Sequence, residues 1–166
     1  MTATKNPLSG GLIEVARQLA EIRGTRIVEQ AALRRSLSAY YALFHALCQL
    51  CGEGLGVWTS SAEDLEPAYR HLDHAKAHDV LNSAKARALH DDLPRIGDVF
   101  HQLRRLRESA DYSQPGRFGG EQKLLTRSEA RALVTIAETV IDLLDGLPKD
   151  VRRRLAVLLT VRQARR

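Results

Sequence analysis

The sequence predicts an all-α protein: an antiparallel, up-and-down helical bundle with an additional basic helix at its C-terminus. Three observations carry that expectation. Helix-forming residues dominate, aromatic residues are only 5% of the chain, and no segment alternates apolar and polar residues as a half-buried strand would. Apolar residues recur instead at three- and four-residue intervals in one segment after another. The 166 residues, 44% apolar and 27% charged, have the size and composition of one domain with its own core. The expected division is a single domain over 1–166, a bundle core over 10–146 and a basic helix over 147–166.

The elements follow in order. A first helix runs from about Gly11 to Arg23, with Leu12, Val15, Leu19 and Ile22 on one face and Gly24–Thr25 ending it. A second, Ile27 to Leu50, carries two adjacent seams. One is Leu33, Leu37, Tyr40, Phe44, Leu47 and Cys51; the other is Ser36, Ala39, Leu43, Ala46 and Leu50. Two apolar seams place this helix at the centre of the bundle, with alanines allowing close neighbours. The glycines of "CGEGLGVW" end it. "SSAED" offers overlapping capping boxes, and a helix starting near Asp64, with room for a break, continues to His90.

Ile96, Val99, Leu103, Leu106 and Ala110 stripe the next helix, which stops at "DYSQPG". After a loop containing Gly119 and Gly120, Thr126 and Glu129 form a capping box. Leu133, Ala137, Val140 and Leu144 mark the helix that follows, and "DGLP" closes it. The last helix starts near Pro148, with Val151, Leu155 and Leu158 on one side and arginines on the other.

No apolar run approaches the roughly 18 to 20 residues a membrane span needs, so no membrane association is expected. "MTATKNPLSGG" lacks the charged-then-apolar order of a secretion signal. Cys48 and Cys51 lie three apart with no second pair to complete a zinc site, so they read as small buried hydrophobes of a reducing cytoplasm. No cofactor is expected. Charge is uneven: the last twenty positions carry +6 and the remaining residues −1. A near-neutral body with a cationic end is suited to phosphates or an acidic partner.

The opening of the central helix raises the question of function. In "RRSLSAYYALFHALC", Arg34, Ser38, Tyr41 and His45 interrupt an oily helix at intervals of four, three and four. Two readings are open: core residues with satisfied polar atoms, or one edge of a cleft facing Arg107–Tyr112. "LRRSLSAYYALFHALC" resembles the second helix of the HEPN superfamily. "LRRLRESADYS" is similar to the Leu-x-x-x-Arg-x-x-Ala-Asp-Tyr segment of one HEPN branch, and "AYRHLDHAKA" resembles a segment found between those two.

The resemblance implies a homodimeric helical bundle that binds or cleaves RNA, many such proteins being metal-independent endoribonucleases of toxin–antitoxin or defence systems. A nucleotidyltransferase antitoxin or another protein partner is implied with it. Their Arg-x(4–6)-His signature supplies an imidazole to take the 2′-hydroxyl proton and an arginine to stabilise the transition state. Counting five on from Arg107 gives Tyr112, a poor base at neutral pH with a reference pKa of about 10.

Arg107, Asp111 and Tyr112 are therefore the expected cleft residues, with Arg70 and His74, four apart, as an alternative Arg–His pair and Arg34, Tyr41 and His45 lining the cleft. Arg95 and His101 fit the bare signature but are turned apart on a continuous helix. His71, His74 and His78 share the spacing of a metal-binding helix face without its usual carboxylate, and no metal is assigned. Arg104, Arg105, Arg152, Arg153 and Arg154 are candidates for phosphate or partner contact. The alternative function is a catalytically silent interaction module that recruits a protein through its basic last helix.

Overall fold

In the computed structural model, which describes residues 6–161, the stretch Ala39–Gly54 is a helix buried on nearly every side. It is α3 in the order α1 (Pro7–Glu21), α2 (Arg26–Ser36), α3, α4 (Ala62–His71), α5 (His74–Leu81), α6 (Ala84–Leu89), α7 (Asp92–Tyr112), α8 (Arg127–Asp145) and α9 (Lys149–Thr160). Among the described residues there is no strand, only an isolated bridge between Phe118 and Glu121. The protein is an all-α bundle, as its apolar periodicity predicts. α1, α7, α8 and α9 all pack directly on α3. A smaller apolar cluster of Ala20, Leu33, Leu37, Ala110, Phe118, Leu125 and Ala130 seals the end where α2 meets the loop before α8.

Four details depart from the sequence reading, each for a physical reason. The single helix expected over 27–50 is two. Ser36 Oγ donates to the Leu33 carbonyl at 2.6 Å, occupying the acceptor that the Leu37 N–H would use in a regular helix. The N–H groups of Leu37, Ser38, Tyr40 and Tyr41 all bond three residues back instead. This tightened turn changes the phase of the helix between Arg34 and Tyr41.

The segment from Ala62 to Leu89 is three helices. Asp73 accepts from the N–H groups of Ala75 and Lys76, and Ser83 accepts from that of Ala86, so each opens a new helix. In α1 the buried face is Ser9, Ile13, Ala16 and Ala20 rather than the expected Leu12, Val15, Leu19 and Ile22. Leu8, Val15 and Ile22 are 50%, 49% and 38% exposed. Three of these four are small, which lets α1 lie close to α3, where Ser9 Oγ donates to the Ala42 carbonyl at 2.8 Å.

The fourth departure is α9. It is not appended to a core ending at 146: Val151, Leu155, Ala156 and Leu159 belong to the main core cluster, and Leu159 takes the buried place expected of Leu158. Arg152, expected at the surface, is 8% exposed. Its guanidinium donates to the Leu144 carbonyl at 2.7 Å and to Glu53 at 2.5 Å, tying α9 to the ends of α8 and α3. Arg162, Arg165 and Arg166 lie outside the described residues.

The α3–α9 approach needs a glycine. A Cβ on Gly54 would overlap that of Ala156, whereas one on Gly10 would meet nothing within 4 Å. Gly54→Ala is expected to lower unfolding free energy by about 1–3 kcal/mol. Gly10→Ala should raise it by about 0.5–1 kcal/mol through helix propensity alone. Urea unfolding of the two variants, which share the same change in composition, checks both.

Candidate functional site

Tyr40 and Tyr41 are consecutive on α3 and therefore point about 100° apart. Tyr40 enters the core at 2% exposure, packed on Phe100 with ring centroids 5.2 Å apart. Its hydroxyl meets Nδ1 of His74, the first residue of α5. The imidazole stacks on Phe44 at 4.1 Å and 13°. Burial pushes the His74 imidazole below its ordinary 6.5, with the nearby Arg104 charge acting in the same direction. Burial also raises the Tyr40 phenol, which keeps its proton. A neutral imidazole accepting that proton at Nδ1 carries its own hydrogen on Nε2. With Nδ1 engaged by Tyr40, Nε2 is the ring nitrogen of His74 left for any other partner.

Tyr41, its ring centroid 5.3 Å from that of Tyr40, meets α7 further along that helix. The Arg107 guanidinium carbon lies 5.2 Å from the centroid of its ring, a cation–π geometry. Arg107 Nη2 also pairs with Asp111 at 2.8 Å, one turn along α7, and both side chains are 22% exposed. Arg35, 70% exposed on α2, reaches the other oxygen of Asp111 at 3.6 Å. Arg107 Nε is buried and unpartnered among the described residues. Tyr41, Arg107, Asp111 and Arg35 thus form one polar cluster where α2, α3 and α7 meet. Arg104, paired with Glu108 at 3.0 Å, extends it along α7, while exposed Arg105 lies on a different side of the helix from Arg107. Tyr112, at its end, is 80% exposed.

The cluster brings together Tyr41, Arg107 and Asp111 of the expected cleft and leaves others elsewhere. Arg34 is turned away by the tight turn after Ser36. Its guanidinium donates to the carbonyls of Ala110, Ser113, Gln114 and Arg117, at 3.2, 3.0, 3.3 and 2.8 Å. It closes the C-terminal end of α7 and anchors the following loop; it does not line a cleft. His45 faces Tyr69, ring centroids 5.6 Å apart, while Asn6 donates to its backbone carbonyl at 3.1 Å. Burial lowers the His45 pKa, and its Nδ1 has no partner among the described residues.

The break at Leu72–Asp73 separates Arg70 from His74, so they share no helix face. Arg70 is 75% exposed and pairs with Glu66. The break likewise disperses the histidines: His71 is exposed, His74 is in the tyrosine hub, and His78 lies 4.4 Å from His101. Among the described residues no group of three or more His, Cys, Asp or Glu is placed to hold a metal. Cys48 and Cys51 are free and buried, and burial pushes the Cys51 thiol up to about 12.

Of the basic candidates, Arg152 is engaged inside the core as described above, whereas Arg153 and Arg154 are exposed. Sequence reasoning passed over Arg35, which closes the Asp111 cluster, and treated Tyr40 only as a seam residue. The doubled Arg34–Arg35 and Tyr40–Tyr41 were the available signal, since neighbours on a helix serve different faces. Comparison of the chain with protein-family models, curated proteins and solved structures finds no match.

Two outcomes follow from this geometry. His74 and His45 have lowered pKa values in the folded state, so the unfolded chain binds more protons just below pH 6.5. Stability is then full above that value and falls as pH drops through the window beneath it. His74→Gln keeps an acceptor for Tyr40 but cannot be protonated, and should flatten the decline in thermal melts between pH 7 and 5. Arg34→Ala should cost about 2–3 kcal/mol by leaving carbonyls at the end of α7 without their charged donor. Arg34→Lys should recover little, because an ammonium cannot span four acceptors. Hydrogen exchange of residues 113–125 would locate the damage.

Proposed function

We propose that this chain is a HEPN-like bundle that binds single-stranded RNA across the α2–α3–α7 cluster, in the toxin–antitoxin or defence setting that the resemblance implies. The observation that carries the reading is the cluster itself. Arg107 lies over the Tyr41 ring and pairs with Asp111, Arg35 reaches the same carboxylate, Arg104 lies one turn back along α7, and exposed Arg105 and Tyr112 share a neighbouring face of that helix. A nucleotide strand is bound by such a pairing of cations for phosphates and an exposed aromatic ring for a base.

Binding is favoured over cleavage by the state of the nearby bases. Cleavage through a 2′-hydroxyl needs an unprotonated nitrogen or oxygen facing the strand. Nδ1 of His74 is engaged by Tyr40, the Asp111 carboxylate is taken up by Arg107 and Arg35, and Tyr112 stands where the HEPN signature has its histidine. Arg107 is then a positioning residue that keeps Tyr41 and Asp111 in place.

Fluorescence anisotropy with a labelled single-stranded RNA tests this reading. Tyr112→Ala should weaken binding by about fivefold or more, the range of one lost base stack. Arg105→Ala should reduce the salt dependence by about 0.7 in the slope of log K against log salt. RNA incubated with the protein in chelator should remain intact. Cleavage by the wild type that disappears in Arg107→Ala would restore the nuclease reading, and absence of RNA binding would end both.

A further inference from the structure

A second surface lies away from the residues assigned to RNA. Between α6 and α9 runs a groove of about 380 Å³ lined by Lys85, Ala88, Leu89, Arg154, Val157 and Leu158. Its floor is aliphatic and its charged rim is entirely cationic; no carboxylate lines it. Among the described residues neither Lys85 nor Arg154 forms an ion pair, in contrast to Arg17, Arg70, Arg131 and Arg152. Val157 is 47% exposed, and Val161, one turn further, continues the stripe at 58%. Val157 on α9 and Val161 at its C-cap are apolar residues that the core does not use.

We propose that this groove docks an acidic amphipathic helix of a partner protein. The apolar floor calls for side chains at i, i+4 and i+7 of a helix laid along it, and the unpaired cations call for carboxylates flanking them. The same features disfavour other occupants. No aromatic ring lines the groove, so a nucleic-acid base has no platform on which to stack. α9 has no Trp or Phe, and its apolar row is set in a concavity, whereas a membrane-surface helix presents such residues outward. A second copy of α9 would bring arginines against arginines.

The proposal is independent of the RNA reading, and the two are tested on different residues. The probe is a synthetic helix of about 20 residues with leucines at i, i+4 and i+7 between glutamates, titrated against the full chain. Saturable binding with Kd on the order of 10–100 µM is expected. Val157→Asp should weaken it at least about tenfold by placing a charge in the contact centre. The double variant Lys85→Glu, Arg154→Glu should instead prefer a lysine-flanked version of the peptide. Both variants alter exposed positions, and circular dichroism establishes that they fold.

Single-stranded RNA binding should be unchanged in both variants. The proposal is overturned by no saturable binding, equal affinity for glutamate- and lysine-flanked helices, no effect of Val157→Asp, or loss of RNA binding in the double variant. The last would make the groove part of the RNA surface. Sedimentation with anionic phosphatidylglycerol vesicles that depends on Val157 would likewise assign it to a membrane surface and reject a protein partner.

Discussion

A tyrosine hydroxyl buried in an apolar core must donate its proton to a fixed acceptor, because a lone buried hydroxyl costs several times what a typical hydrogen bond contributes. Tyr40 meets that requirement through His74, and much of the molecule's geometry depends on it. The bond fixes where α5 begins, since His74 is its first residue and Asp73 caps it. It also places the imidazole between Phe44 and Phe100, which joins α3 to α7. With α7 seated there, Arg107 arrives over Tyr41. The internal bond and the outward cluster are thus two consequences of consecutive residues on one helix.

The arginines divide by the same logic. Arg34, surrounded by backbone carbonyls, and Arg152, bonded to a carbonyl and a carboxylate, act as internal ties, one at the end of α7 and one at the ends of α3 and α8. A planar guanidinium with five donors suits that task, and such a residue has little left for a ligand. Arg35, Arg105, Arg153 and Arg154 are exposed. Net charge alone does not separate the two groups. A formal charge of +5 describes the chain, but the partner-facing charge is set by the cations that remain outside the packing.

What could be read beforehand was what local chemistry determines. The Thr126–Glu129 box is complete in four residues, and both of its hydrogen bonds are present. The seam of Leu37, Tyr40, Leu47 and Cys51 fixes its own burial by apolarity. The misread features all depend on competition. Whether Ser36 bonds to its own helix, whether α1 buries leucines or alanines, and whether Arg152 or Arg153 turns inward are decided by neighbours distant in the chain. For α1 the leucine face lost to one of Ser9, Ile13, Ala16 and Ala20, whose three small side chains let the helix lie close to its neighbours. Arg152 and Arg153 are chemically identical and adjacent; Arg152 falls on the buried face of α9, where it meets the Leu144 carbonyl and Glu53, and Arg153 falls outside it.

This bears on the meaning of the resemblance. Arg34, Tyr40 and Tyr41 lie within the motif that resembles HEPN proteins, and each has a structural task here: loop anchor, core hydrogen bond and arginine support. A motif whose residues hold the bundle together can survive without the reaction that accompanies it in other proteins. The histidine position differs, because nothing in the packing requires an imidazole at 112, where Tyr112 projects into solvent. The residues that carry the resemblance have packing tasks in this bundle, and position 112, which has none, holds a tyrosine. That asymmetry is the physical reason for placing binding ahead of catalysis.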